Sequence, residues 1–175
     1  MSALEAIRRR RSHPRLTADA PSHAELLPLV EAAATLADHG SLRPWRLIEL
    51  RGDARRRLGE AFVAAGGLTG RDAESLAAKP LRASLLIAIV LKEIPSIKVP
   101  AWEQEAAASG VAHALSLLLD EAGWGVMWRT GGHTRSAAVH AMHGLAANEK
   151  LLGWLYVGGV EGRERPDKRA GFSAE

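Results

Sequence analysis

Two stretches carry side chains able to hold an anion or a polar ligand. The first is the basic run Arg8-Arg9-Arg10-Arg11, followed by Ser12 and Arg15, with only Glu5 nearby to balance it. At about 3.6 residues per turn, successive arginines cannot share one helix face. One or two of them can converge on a ligand, and the competing reading is a solvated basic helix end. The second stretch is Arg129-Thr130-Gly131-Gly132, where a cation, a hydroxyl and two glycines follow an apolar segment. Arg163, Arg165, Lys168 and Arg169 crowd the C-terminal tail, so both chain ends could receive an anion.

Other chemistries find less support. Gly123-Trp124-Gly125 opens like a dinucleotide fingerprint, but it follows a helix and precedes a strand, the wrong order for that site, and its last glycine is missing. The turn Gly66-Gly67-Leu68-Thr69-Gly70 lacks the lysine and hydroxyl of a phosphate-binding loop. His140 and His143 stand one turn apart, downstream of His133, with no carboxylate motif beside them. They read as surface histidines, and no metal is expected. Neither a Gly-x-Ser-x-Gly elbow nor a serine, histidine and acid at recognisable spacing is present, so a hydrolase is unsupported.

The element that must position these residues runs from Trp102 to Ala122. Ala106, Ala107, Val111, Ala112, Ala114, Leu115, Leu117, Leu118 and Leu119 leave it almost no polar face, the pattern of a helix covered on every side. At about 1.5 Å per residue such a helix is on the order of 30 Å long and can serve as a packing spine. Its small residues Ala106 to Gly110 let another backbone approach, from the same chain or from a second copy. Glu103 and Glu105 suit the positive end of its dipole, and Gly123 is placed to cap it in a left-handed conformation. Trp124 to Thr130 then forms a buried strand.

Before the spine, Ser2 to Arg11 reads as a short helix that Pro14 stops, and Ser22 with Glu25 forms a capping box for a second helix reaching about Ala37. Asp38 to Pro44 is a polar loop, Trp45 to Leu50 a strand, Ala54 to Ala65 a helix and Asp72 to Lys79 another. The unbroken apolar run Ser84 to Leu91 is a central strand buried on both faces. Thr134 to His143 is helical, Leu151 to Val157 is the last strand, and residues 158–175 form a polar tail. About four strands and six helices in this order make a helix-covered sheet. Trp124, Trp128 and Trp154 read as core residues, whereas Trp45 and Trp102 are placed to border a pocket.

With 175 residues, one domain spanning 1–175 is expected, long enough to bury a real core. The absence of cysteine removes disulfides and thiolate chemistry and fits a reducing compartment. There is neither a signal peptide pattern nor a long apolar run, which points to a cytoplasmic protein without a membrane span. Net charge is only +3 although the sequence pI is near 9.7.

Four segments in register carry a resemblance: RRRS at Arg9 to Ser12, DHGSLRPWR at Asp38 to Arg46, VPAWEQE at Val99 to Glu105, and WRTG at Trp128 to Gly131. In order and spacing they resemble the compact flavin-dependent nitroreductases of bacteria, over nearly the whole chain. The resemblance implies an α+β fold with a mixed, mainly antiparallel sheet covered by helices on both faces. It also implies a homodimer with FMN in clefts at the dimer interface. Arg10, Arg11 and Ser12 match the motif that binds FMN from the first helix, and a guanidinium suits phosphate or pyrimidine carbonyls. Thr35 and His39 match positions that reach the FMN of the partner chain. Trp128, Arg129, Thr130 and Gly131 match the strand end lying along the flavin. Glu121, Ala122, Gly123, Trp124, Gly125 and Val126 match a segment assigned to nicotinamide cofactor binding, and Lys168 and Arg169 resemble a basic tail that reaches the flavin phosphate. Arg43 stands where relatives often carry glutamine, and Thr35 replaces a longer basic residue.

The activity implied is passage of a hydride from NAD(P)H through flavin N5 to a nitroaromatic, quinone or similar electron-poor small molecule, in ping-pong fashion. The cofactor carries the hard chemistry, which agrees with the lack of a catalytic dyad. Positive charge from Arg129 or from backbone N–H groups would stabilise the reduced form. A flavin-binding or sensing protein without efficient turnover is one alternative. A basic nucleic-acid-binding module is another, but no aromatics interleave with Arg8 to Arg11 as single-strand binding requires, so no nucleic-acid partner is expected.

Overall fold

The computed structural model describes residues 2–161. Helix α1 spans Ala3–Arg9, α2 His23–Ala33, strand β1 Trp45–Leu50, α3 Asp53–Gly66, α4 Gly70–Ala77, β2 Leu85–Lys92, α5 Ala101–Glu121, β3 Gly125–Arg129, α6 Ala137–His143 and β4 Glu149–Gly158. The strands form one sheet in the order β1-β2-β4-β3, and every pairing is antiparallel.

Strand β2 is apolar without alternation because both its faces are covered. Leu85, Ile87, Ile89 and Leu91 join Leu26 and Ala33 of α2 and Val111, Leu115 and Leu119 of α5 in one core. Leu86, Ala88 and Val90 join Leu58 and Phe62 of α3 and Val139 of α6 in the other. The sheet is thus sandwiched between α2 with α5 and α3 with α6. No helix among the described residues is long and apolar enough to cross a membrane.

Several element ends differ from expectation for identifiable reasons. Helix α1 stops at Arg9, since Arg10 leaves helical geometry at φ −48° and ψ 134°. Arg11 takes over the helix end: its Nη1 donates to the carbonyls of Arg8, Arg9 and Arg10 at 2.6, 2.8 and 3.0 Å. The expected helix over Thr134 to His143 splits into a short turn at Gly132–Arg135 and α6, because Ser136 caps α6 by accepting from the Val139 N–H. The capping box of Ser22 and Glu25 is present.

Helix α5 is not covered on every side within one chain. Ala108, Val111, Ala112, Leu115 and Leu119 are buried, but Ala106 and His113 are exposed, and Gly110, Ala114, Leu117 and Leu118 are only partly covered. The apolar pattern runs around the helix, whereas the sheet and α2 reach only part of it.

Candidate functional site

Strand β3 is an edge of the sheet, so its outer backbone groups lack a strand partner. Residues 13–19 lie against this edge: the His13 N–H donates to the Val126 carbonyl, the Thr17 N–H to that of Gly159, and the Gly159 N–H to that of Asp19, each at 2.9 Å. Leu16 sits where any side chain at Gly125 would have to go, 2.6 Å from an added Cβ. From His13 onward the chain therefore runs back past the start of β3, with Arg10, Arg11 and Ser12 immediately before the His13 contact. Asp120, near the end of α5, fixes this arrangement through Arg9 at 3.7 Å and His13 at 3.8 Å.

Backbone direction alternates along a strand, so the outward Val126 carbonyl implies that the backbone of Trp128 also faces the open edge. Trp128 has no backbone partner beyond the β4 ladder among the described residues. The side chain of the half-buried Arg10 makes no hydrogen bond or ion pair among the described residues, Ser12 is exposed, and both stand within three residues of His13, which bonds this edge at Val126. Guanidinium, hydroxyl and peptide N–H are the donors that a phosphate or a pyrimidinedione edge requires, so the residues fit a flavin nucleotide.

The side chains of Trp128 and Arg129 point to opposite faces, as successive strand residues must. Trp128 lies edge-on to His113 of α5 with ring centroids 4.9 Å apart, and its indole N–H is buried without a partner. Arg129 lies on the other face, its guanidinium carbon 5.2 Å from the Tyr156 ring centroid, with Nε buried and unpartnered. Burial pushes the Tyr156 phenol up to about 12. Thr130 and Gly131 are exposed at the strand end. Gly131, with φ 123°, starts the turn in which its carbonyl accepts from the Thr134 hydroxyl at 2.7 Å.

Glycine at 153 makes this strand end possible. It adopts φ 141° beside a register shift in the β2–β4 ladder. An added Cβ would lie 2.5 Å from the Arg129 carbonyl, 2.7 Å from Trp128 Nε1 and 3.1 Å from Thr130 Cγ2. Nothing in the sequence marked this residue, because the neighbour it must admit lies on another strand.

Of the segment matched to nicotinamide binding, Glu121, Ala122 and Gly123 are exposed, Trp124 is half-buried, and Gly125 and Val126 are buried. Gly123 has the expected left-handed φ of 89°. The side chain of Val126 belongs to the core, so any contact it makes with a ligand runs through backbone.

Thr35 and His39 lie elsewhere. The Thr35 hydroxyl donates to the Ala32 carbonyl at 2.8 Å, closing the end of α2. His39 Nδ1 meets Glu103 Oε2 at 2.6 Å, at the N-terminal end of α5. Arg9 and His13 instead meet Asp120 at its C-terminal end. From Glu103 to Asp120 a helix advances roughly 25 Å. One chain therefore does not bring His39 together with Arg10.

The tryptophan expectations hold in part. Trp154 is buried, Trp45 and Trp128 are partly buried against the first core, and Trp102 is 70% exposed at the start of α5. A cleft of about 550 Å³ at that end is lined by Glu93, Ser96, Pro100, Gln104 and Asn148 among others, and neither Trp45 nor Trp102 lines it. It is shaped by loop 93–100, which Gln104 ties down through Ile94 and Val99, and no charged cluster converges there.

One expectation is overturned. His143 is not a surface residue but 8% exposed: its Nδ1 donates to the Val139 carbonyl at 2.8 Å, and its Nε2 accepts from Trp154 Nε1 at 3.1 Å. The second core closes over the inner face of α6 and buries it. No group of His, Asp and Glu that could hold a metal ion occurs among the described residues. Lys168 and Arg169 lie outside the described residues.

A family model described as Nitroreductase family matches residues 7–159. The chain is 34% identical over 161 residues to an Escherichia coli K12 protein provisionally named NAD(P)H nitroreductase YdjA, covering 90% of this chain and 88% of that one. A nitroreductase-like family protein from Bacillus cereus superposes with a TM-score of 0.84 at 23% identity, over 98% of this chain and 92% of the other. The FMN and NADPH-dependent nitroreductase NfnB from a Sphigopyxis strain superposes at 0.74 and 21% identity, over 98% and 96%. With its fold and almost its whole length matched in this way, the chain belongs to the nitroreductase family of oxidoreductases.

Proposed function

We propose that the protein is a homodimeric FMN-dependent oxidoreductase that uses NAD(P)H to reduce a nitroaromatic, quinone or similar electron-poor small molecule. The observation that carries this reading is the divided donor set. Arg10 and Ser12 adjoin the His13 to Val126 bond on the edge strand that carries the outward backbone of Trp128, while His39 sits roughly 25 Å away along α5. The incompletely covered flank of α5, with Ala106, Gly110, Leu117 and Leu118, is where a second copy can lie. Antiparallel packing of two such helices would bring the His39 end of one chain to the Arg10 end of the other.

Bound FMN would supply hydride transfer at N5, alternately from NAD(P)H and to the acceptor. The protein's own residues bind and orient. Arg10 offers a guanidinium to phosphate or pyrimidine carbonyls, and Ser12 adds a hydroxyl. Outward N–H groups at the end of β3 would donate toward the negative charge that reduction places on the flavin. That role falls to backbone rather than to the Arg129 guanidinium, which lies over Tyr156.

The nucleic-acid alternative is disfavoured by the same geometry. Arg9 is paired with Asp120 and Arg11 is folded onto its own helix end, so the basic run is not an open comb for phosphates. The test is direct: purified protein should be yellow, and the chromophore released on denaturation should be FMN. Colourless protein that takes up no added FMN would contradict the reading.

A further inference from the structure

The loop between α2 and β1 holds the two non-glycine residues with positive φ among the described residues. Ser41 and Arg43 both adopt left-handed backbone conformations, at φ 51° and φ 48°, which cost energy for residues other than glycine. Such geometry persists only when neighbours over-determine it. Here Asp38 Oδ2 accepts from the Arg43 N–H at 2.6 Å, and the Ser41 N–H donates to the Asp38 carbonyl at 2.9 Å. A Cβ added at Gly40 would lie 3.4 Å from Val99. A further tie is His39 Nδ1 to Glu103 Oε2, which joins the loop to the first turn of α5 across 64 residues of sequence.

This tie does more than close the loop. With Nδ1 committed to a carboxylate acceptor, its proton is placed, the ring orientation is set, and Nε2 is left directed away from the pair. Nε2 makes no hydrogen bond among the described residues, and the His39 side chain is 57% exposed while that of Glu103 is 26% exposed. An exposed imidazole fixed by an inner carboxylate, on a strained loop, is a pre-oriented binding group.

We propose that Glu103 is a positioning residue for the flavin site: it holds His39 in the ring orientation and tautomer that present Nε2 to FMN bound against the second chain. This rests on the FMN reading above. Glu103 touches no ligand itself and acts only through His39.

The distinguishing property is reach rather than charge. Glu103→Gln keeps an oxygen at the same distance from Nδ1, whereas Glu103→Asp keeps the charge in the first turn of α5 but withdraws the oxygen by one methylene. FMN dissociation constants should be measured by quenching of flavin fluorescence on apo-protein reconstituted with FMN. We expect Glu103→Gln to bind within about twofold of wild type, and Glu103→Asp and Glu103→Ala to bind roughly tenfold more weakly. In a His39→Ala background, Glu103→Ala should add no further loss, because the two residues act as one unit. A role confined to the helix dipole gives the reverse order, Asp retained and Gln lost, and overturns the proposal. So does an undiminished Glu103→Ala effect without His39. If wild-type protein binds no FMN, the flavin reading fails and the proposal falls with it. If wild type binds and Glu103→Asp and Glu103→Ala bind equally well, only the positioning role fails. Should Glu103→Ala not fold, the order of Gln and Asp decides.

Discussion

Arg10 and Arg11 are neighbours with different duties. Arg11 spends its guanidinium on the carbonyls that end α1, whereas the half-buried Arg10 side chain makes no hydrogen bond or ion pair among the described residues. Arg10→Ala should therefore weaken FMN binding about tenfold with little change in melting temperature, and Ser12→Ala should weaken it less. Arg11→Ala should lower both, and Arg8→Ala should affect FMN binding least; equal losses at all of them in a titration would show only diffuse electrostatics. A second residue-scale expectation concerns acid. Burial lowers the His143 pKa from 6.5, so the unfolded chain takes up a proton that the folded chain resists. That contribution is complete above about pH 6.5 and is lost as pH falls through the lower folded value. Glu149, held by Arg46 at 2.7 and 2.8 Å, is lowered from 4.5 to about 2, so its contribution is complete above pH 4.5 and lost towards pH 2. Urea unfolding across pH should show both limbs. His143→Gln should remove the upper limb and cost roughly 1–3 kcal/mol at pH 7 by disturbing the Trp154 hydrogen bond. An unchanged upper limb in this variant would contradict the assignment.

At the scale of elements, the end of β3 depends on β4. Gly153→Ala places a Cβ against the Arg129 carbonyl and the Trp128 indole at a backbone angle that alanine resists. It should cost roughly 2 kcal/mol or more and shift Trp128 fluorescence, and FMN affinity should fall with it. Full FMN affinity and an unshifted spectrum in Gly153→Ala would show that this strand end does not frame the ligand. The elements themselves were legible in sequence wherever a local rule sufficed. The unbroken apolar run announced β2, the Ser22 and Glu25 spacing announced α2, and the apolar pattern of residues 102–122 announced α5. Features made by distant residues were not legible. His143 reads as polar until α6 folds over the core, and Gly153 is an ordinary glycine until Trp128 crosses it. The pairing of His39 with Glu103 joins segments that no spacing rule connects. Likewise Arg10, Ser12 and Trp128 could be listed from the chain, but the His13 to Val126 hydrogen bond that ties the segment after Ser12 to the strand of Trp128 joins residues no spacing rule connects.

For the molecule as a whole, one chain carries the donor set in two places and leaves a flank of its longest helix incompletely covered. A second copy, as proposed, would account for both. The protein should be an obligate homodimer burying more than about 2,000 Å² in total, and light scattering that finds a stable folded monomer retaining its flavin would contradict this. Since NAD(P)H and acceptor would use the same ligand face in turn, initial rates at varied concentrations of both should give parallel double-reciprocal lines; intersecting lines would rule out alternating occupancy. The most direct test of a nicotinamide-dependent flavin reductase is anaerobic absorbance of the FMN-loaded protein near the flavin visible band while NADH or NADPH is added. At least one of them should bleach the band, and a nitroaromatic or quinone should then restore it. A band that neither nucleotide bleaches, while a chemical reductant does, would contradict a nicotinamide-dependent reductase and leave a flavin-binding protein without that turnover.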